Sequence, residues 1–154
     1  MPAERKTRDE VLELVRSGRA ELEAALARIP EERIEEPLLD GGWSAKDLMA
    51  HVAHWEMAFL SNLGEPPPPV LDQGSEEATN RAVFEYHRGR GLADVRREFQ
   101  DVHRRLVERV SQFDDDGLNA QPVADRDTVV WQFVAGETWQ HYPSHTAQLE
   151  RVAL

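Results

Sequence analysis

The strongest constraint on the fold is a run of apolar residues whose spacing alternates between three and four positions. The run lies between Leu92 and Phe113, and its members are Leu92, Val95, Phe99, Val102, Leu106, Val110 and Phe113. Steps of three and four place side chains on one face of an α-helix, whereas a half-buried strand needs steps of two. The pattern therefore predicts an amphipathic helix that buries one face against other helices.

Two earlier helices are predicted from similar apolar stripes and from their end signals. The first spans Thr7 to Ile29, and Thr7 and Glu10 have capping-box spacing at its start. The second spans Ser44 to Gly64, and Ser44 and Asp47 have the same spacing, with aspartate in place of the commoner glutamate or glutamine. A capping box satisfies backbone N–H groups that a helix start leaves unpaired.

The remaining elements define the predicted architecture. A fourth helix is expected from about Asp127 to the C-terminus, and a shorter one over residues 75–88 precedes the Leu92–Phe113 helix. Four consecutive prolines, Pro66 to Pro69, favour a stiff extended spacer that suits a long crossover between helices 2 and 3. No stretch alternates as a strand would. The sequence predicts an all-α protein, with residues 1–154 forming a single four-helix bundle.

Charge and composition narrow the expected partners. The chain has 29 acidic and 18 basic residues and a net charge of -11, which disfavours a nucleic-acid partner because such a surface repels phosphates. There is no cysteine, so any sulfur chemistry needs an external thiol. The N-terminus lacks the apolar core of a signal peptide, and no apolar run reaches membrane-spanning length. We therefore expect a cytoplasmic protein without a membrane partner.

Two histidines of the fourth helix are predicted to face the core. At about 100° per residue, His141 and His145 lie in the middle of its apolar face. Burying neutral imidazoles without partners costs about 1–3 kcal/mol, and charging two neighbouring rings is worse. A divalent metal resolves both problems by accepting one lone pair from each ring. His51, at the edge of the apolar stripe of helix 2, is the predicted third ligand. Glu137 is either a surface carboxylate or an outer-shell partner that orients His141.

Three protein ligands leave a coordination position for water or substrate, which is typical of a catalytic metal site. His103 is expected to be a hydrogen-bonded histidine in the core or at its rim. Both His103 and Tyr142 are candidates to assist proton transfer if they reach the cavity. His54 and His87 are expected to face solvent. Two tryptophans are expected to pack in the core rather than to form a substrate platform: Trp43 and Trp55.

Pro143 lies between the two predicted ligands of the fourth helix. Inside a helix it would leave the carbonyl of Trp139 without its usual hydrogen bond and would cost about 3 kcal/mol relative to alanine. Metal ligation by His141 and His145 would offset this cost if it held the kinked turn together. Alternatively, the kink merely follows the shape of the bundle.

Three segments together resemble the DinB/YfiT-like superfamily of bacterial four-helix bundles: "GGWSAKDLMAHVAHWE", "ATNRAVFEYHRGRGLADVRREFQDVHRRL" and "HYPSHTAQL". The likeness is greatest to its colibactin self-resistance branch and covers the chain from about Val11 to the end. The resemblance implies an up-down-down-up bundle with a long crossover after helix 2. It also implies a nickel or zinc site whose ligands are His51, His141 and His145. Pro143 departs from this pattern, which leaves the geometry of the site open.

The resemblance leaves two classes of function open. Members of the superfamily include metal-dependent transferases that use low-molecular-weight thiols, a maleylpyruvate isomerase and a hydrolase of a strained cyclopropane. The first hypothesis is therefore a metal-dependent transferase or hydrolase that detoxifies an electrophilic small molecule, with an external thiol as a candidate cosubstrate. The second is a non-catalytic or metal-independent bundle that binds or sequesters a small molecule. A homodimer is compatible with either.

Overall fold

The computed structural model describes residues 4–121 and 127–154, and this part of the chain forms helices and no strands. In chain order its α-helices are α1 (Arg8–Ala27), α2 (Ala45–Ser61), α3 (Glu76–His87), α4 (Leu92–Ser111), the single turn α5 (Asp115–Leu118), α6 (Val130–Glu137) and α7 (Tyr142–Glu150). Two short 3-10 turns, Glu31–Arg33 and Asp40–Gly42, lie between α1 and α2. The predicted all-α class is confirmed. The up-down-down-up order of the bundle stays a prediction.

The predicted helix starts are confirmed by their hydrogen bonds. The Thr7 hydroxyl accepts a bond from the N–H of Glu10 at the start of α1. At the start of α2 the capping box is complete: the Ser44 hydroxyl accepts from the N–H of Asp47, and the Asp47 carboxylate accepts from the N–H of Ser44. These local bonds fix where α2 begins, and hence the rotational position of every side chain along it.

The core is built around α2, which packs against α3, α4 and α6, while α1 packs against α4 and α7. One apolar cluster includes Leu22, Leu48 and Phe99, and another includes Leu60 and Leu106. Since α2 is covered on several sides, most of its residues are buried whatever their position on the helical wheel. In the described ranges, no helix has the combination of length and hydropathy that a transmembrane span requires.

The predicted fourth helix is in fact two helices. Helix α6 ends at Glu137, and the backbone leaves helical geometry at Thr138, where φ is -126° and ψ is -102°. The Thr138 hydroxyl donates to the carbonyl of Val134 at 2.7 Å. Helix α7 then begins after His141, with Pro143 in its first turn. A first-turn N–H has no partner within its own helix, so proline is tolerated there. The prediction of a costly interior proline, offset by metal ligation, was wrong.

The expectation that His54 and His87 face solvent was also wrong. His54 on α2 is 3% exposed, and His87 at the end of α3 is 2% exposed. Helix α3 packs against α2, so it covers a face of α2 that a wheel with a single buried stripe assigns to solvent. The His87 Nδ1 atom lies 3.1 Å from Nη1 of Arg90, which supplies a hydrogen bond to the buried ring.

Candidate metal centre

Three histidines from separate parts of the chain converge on one point. His51 lies in α2, His141 immediately precedes α7 and His145 lies within α7. The Nε2 atom of His141 is 3.0 Å from Nε2 of His51 and 3.1 Å from Nε2 of His145. The ring planes are inclined by 62–79° to one another, so the rings meet through their edges rather than their faces. These are the same three residues whose convergence the sequence predicts.

The arrangement fits a divalent metal ion. Two metal–nitrogen bonds of about 2.1 Å that meet at 90–110° span about 3.0–3.4 Å, which matches the separations of the His141 Nε2 atom from those of His51 and His145. All three ligand atoms lie within 4.8 Å of one another. The Nδ1 atoms of His51, His141 and His145 are buried and have no hydrogen-bond partner in the part of the chain that the structure describes. With the ring proton on Nδ1, each of the three Nε2 atoms keeps a lone pair, and a cation held by all three Nε2 atoms would accept these lone pairs at once.

Burial keeps these rings neutral, which is the form of imidazole that binds metal ions. Burial, followed by the charges of the nearby His141 and His145, lowers the pKa of His51 to about 2. Burial, followed by the charge of His141, lowers the pKa of His145 to about 4. The pKa of His141 is also lowered by burial, although the carboxylate of Glu56 opposes that shift. At neutral pH all three rings are therefore free to donate a lone pair.

Glu137, the predicted outer-shell partner, closes α6 four residues before His141. Burial, together with the charges of Glu56 and Glu76, raises the pKa of Glu137 to about 7. Within the described ranges no hydrogen bond joins the Glu137 carboxylate to the His141 Nδ1 atom, although the Glu137 backbone lies close enough to raise the pKa of His141 in opposition to burial. A carboxyl group that titrates near neutral pH is nevertheless suited to accept and release a proton.

A second polar cluster, which the sequence analysis missed, centres on Glu56 of α2. Its carboxylate is 1% exposed: Oε1 lies 2.9 Å from the His103 Nδ1 atom, and Oε2 accepts a bond from the Tyr142 hydroxyl at 3.0 Å. The Arg19 guanidinium lies 3.4 Å from Oε2 and also donates to the carbonyl of Phe99. The expectation of a hydrogen-bonded His103 is confirmed. Both His103 and the Tyr142 hydroxyl form their hydrogen bonds with the Glu56 carboxylate.

Apolar spacing in the sequence contains a signal for this cluster. Arg19 follows Val15 by four residues and precedes Leu22 by three, so it occupies a position on the buried stripe of α1. Glu56 stands in the same relation to Val52 and Phe59 on α2. Opposite charges on two inward stripes predict an internal ion pair, since an isolated buried charge is far costlier than a paired one.

A cleft lies next to Trp43, whose ring contacts His51 of the triad. It has a volume of about 840 Å³ and lies between Trp43, just before α2, and the outer face of α3; we call it the Trp43 cleft. Its lining includes Trp43, Glu76, Asn80, Arg81, Phe84 and Glu85. The Trp43 ring centroid lies 5.0 Å from that of His51 and 6.5 Å from that of Phe84. Trp43 is therefore a packing residue, as predicted, in contact with His51 and Phe84, and it also lines the cleft.

Comparisons with known proteins agree with this fold. Three similar solved structures are an uncharacterised protein from Escherichia coli UTI89, the colibactin self-resistance protein ClbS in complex with a dsDNA, and the sibling lethal factor precursor DfsB. Their sequence identities are 17%, 15% and 15%, and their TM-scores are 0.81, 0.79 and 0.78. The alignments cover 96%, 95% and 97% of this chain and 96%, 94% and 100% of theirs. At these identities the similarity concerns the fold alone.

Sequence comparison identifies the family. No curated protein matches the sequence significantly. The family model described as the DinB superfamily matches residues 14–149, which include every helix from α2 to α6, most of α1 and nearly all of α7. The matched region also contains His51, His141 and His145. The chain therefore belongs to the DinB superfamily.

Proposed function

We propose that this protein is a metal-dependent enzyme that acts on an electrophilic small molecule, by thiol transfer or hydrolysis, with His51, His141 and His145 as the metal ligands. The observation that carries the proposal is the convergence of three Nε2 atoms within about one metal-coordination sphere, on rings whose Nδ1 atoms have no other partner in the described ranges. Neutral imidazoles, one buried on α2 and two partly buried at α7, are ligands expected for zinc or nickel.

The chemistry of the proposal follows from this donor set. A divalent metal held by three protein ligands would supply Lewis acidity, which lowers the pKa of a bound water or thiol and makes it nucleophilic near neutral pH. Because the chain has no cysteine, a thiol nucleophile would come from a low-molecular-weight cosubstrate. Glu137, with its pKa near 7, is the proposed proton acceptor or donor for this step.

The relatives are consistent with a detoxification role. ClbS is a colibactin self-resistance protein, and its alignment covers 95% of this chain. The ClbS structure is a complex with double-stranded DNA. We do not extend that partner to this chain, whose net charge is -11, because so acidic a surface repels the phosphate backbone.

Metal binding is the first test of the proposal. Untagged protein is stripped with EDTA and titrated with Zn²⁺ and Ni²⁺ in a calorimeter, and elemental analysis of the reloaded protein gives the stoichiometry. We expect one ion per chain, and an affinity at least about 100-fold lower when His51, His141 or His145 is replaced by alanine. His103→Gln is the matched control, because it changes a histidine outside the triad. Equal affinities in the control and in the three alanine variants would reject the assignment.

Turnover is the second test, and it separates the enzyme from a sequestering protein. Styrene oxide, a simple electrophile, is incubated with the protein in the presence and absence of cysteine as the thiol, and product is followed by mass spectrometry. The enzyme hypothesis expects turnover that EDTA abolishes and that Zn²⁺ or Ni²⁺ restores. Full activity in the metal-free protein would reject the proposed mechanism. Stoichiometric binding without turnover, insensitive to EDTA, would instead support the sequestering bundle.

A further inference from the structure

We propose that the Trp43 cleft selects a cationic ligand, so that the substrate class of this protein is an electrophile that also carries an ammonium or guanidinium group beside an apolar moiety. This inference rests on the proposed function, since it treats the cleft as the substrate-binding surface of the three-histidine site. It is carried by the charges on the cleft wall, by its two aromatic rings and by the contact of one of them, Trp43, with His51.

The wall of the cleft has an excess of negative charge. Glu76, Glu77 and Glu85 line it, and Arg81 is the one basic residue among its lining residues. Glu77 lies within 3.9 Å of Arg81, which compensates this carboxylate in part. Glu76 and Glu85 form no ion pair with another residue in the described ranges, so their charges remain available to a ligand. An anionic ligand would meet two uncompensated like charges here.

Two aromatic rings complete the surface. Trp43 and Phe84 are nearly parallel, with an interplanar angle of 15°, and both side chains are only partly buried. The face of an aromatic ring attracts a cation that lies within about 6 Å of its centroid, and tryptophan does so most strongly. Aromatic faces beside unpaired carboxylates are the combination that recognises a cation attached to an apolar group.

The cleft is joined to the metal centre by Trp43. His51, which is 5% exposed, contacts the Trp43 ring, and its Nδ1 atom has no hydrogen-bond partner in the described residues. A ligand held against Trp43 is therefore one side chain away from the three histidines. Its cationic group would be held by Glu76 and Glu85, and its apolar, reactive part would lie against the Trp43 ring beside His51.

Three probes of nearly equal size test the charge preference. Phenyltrimethylammonium is the cation, 2-phenyl-2-propanol is the neutral analogue and 2-methyl-2-phenylpropanoate is the anion. The quaternary nitrogen cannot ligate a metal, whereas the carboxylate can, so the charge preference of the cleft is judged on the metal-free protein. Dissociation constants are measured by NMR titration on EDTA-treated full-length protein and on protein reloaded with Zn²⁺. We expect the cation to bind about tenfold more tightly than the alcohol, and the carboxylate to bind most weakly.

Variants assign the preference to the named residues. Glu76→Gln combined with Glu85→Gln should reduce the cation's advantage over the alcohol to less than about threefold, because both unpaired charges are lost. Trp43→Leu, which keeps an apolar residue before the helix cap, should weaken the binding of the cation and of the alcohol. Glu21→Gln removes an exposed carboxylate of α1 and is the matched control, with no expected effect. Melting curves establish that each variant is folded.

The outcomes separate this inference from the proposed function. Equal binding of cation and alcohol, preference for the carboxylate, no binding of any probe, or a preference that survives the double glutamine variant would each overturn the cationic substrate class. Each of these results is judged on the EDTA-treated protein, and metal binding is titrated separately without a probe. A protein that binds one metal ion per chain but shows no cation preference would keep its proposed function and lose this inference. A protein that prefers the cation but binds no metal would keep the charge preference of the cleft and lose the proposed metal site.

Discussion

Replacing Pro143 with alanine should lower the free energy of unfolding by about 0.4–1 kcal/mol, although proline usually destabilises helices. Pro143 is exposed and lies in the first turn of α7, where its missing N–H breaks no hydrogen bond within the helix. The folded state therefore gains little from alanine. The unfolded chain gains backbone freedom, and this is the larger effect.

The magnitude is large enough to measure. In a chain of 154 residues, 1 kcal/mol corresponds to about 2–4 °C in the melting temperature, so Pro143→Ala should melt about 1–4 °C below the wild type. Gly136→Ala is the matched control: a methyl group added there meets no atom within 4 Å, and alanine should stabilise α6 by about 0.5–1 kcal/mol. Both proteins are melted in EDTA and again with saturating Zn²⁺.

A clear result would refute this reasoning. If Pro143 interrupted a continuous helix, alanine would stabilise the metal-free protein by about 3 kcal/mol, which is a rise of about 6–12 °C. A rise of that size in EDTA, reduced by Zn²⁺, would show that metal ligation opposes the relaxation of a strained turn. We expect instead a small decrease that is the same with and without Zn²⁺, while Gly136→Ala melts higher in both.

Three further predictions follow from the buried polar groups and the net charge. Glu56→Gln should destabilise the protein by about 3 kcal/mol in urea unfolding, because it removes the buried carboxylate beside the buried Arg19 guanidinium and leaves it the partly exposed Glu23, and adding Arg19→Leu should recover most of the loss. Burial, followed by the charge of Arg90, lowers the pKa of folded His87 to about 4, so on acidification the unfolded chain takes up a proton at this ring before the folded protein does. From pH 7.5 to pH 5 the free energy of unfolding should therefore fall by about 2 kcal/mol more in the wild type than in His87→Gln. Duplex DNA of 20 base pairs should show no change in fluorescence anisotropy up to about 100 µM protein in 150 mM salt, whereas a micromolar dissociation constant would contradict the argument from charge.

Local signals in the sequence were sufficient to place most helices. A capping box needs only two residues three positions apart, so Ser44 and Asp47 fix the start of α2 whatever surrounds it. The apolar steps of α4 similarly predict a helix from Leu92, as observed, and it ends at Ser111 rather than Phe113. These features depend on neighbours along the chain, and the sequence contains them in full.

Burial on more than one side of a helix could not be derived from periodicity. A helical wheel with one apolar stripe assumes that the opposite face meets water. Helix α2 violates that assumption because α3 covers a second face, and His54 and Lys46 are consequently buried. Which element covers that face depends on the path of the segment between α2 and α3, and the local pattern does not record this path.

The convergence of the three histidines was predicted from a helix that proved to be broken, and the reason lies in the backbone at His141. The break occurs at Thr138, while His141 already has helical angles, with φ of -96° and ψ of -43°. The four-residue step from His141 to His145 is therefore a helical step, and it keeps both rings on one side of α7. The break changes the direction in which α6 runs but not the relation between the two rings. A continuous helix was thus not required; what the prediction needed was one helical turn at His141 and a fixed α2 start, which sets the direction of His51.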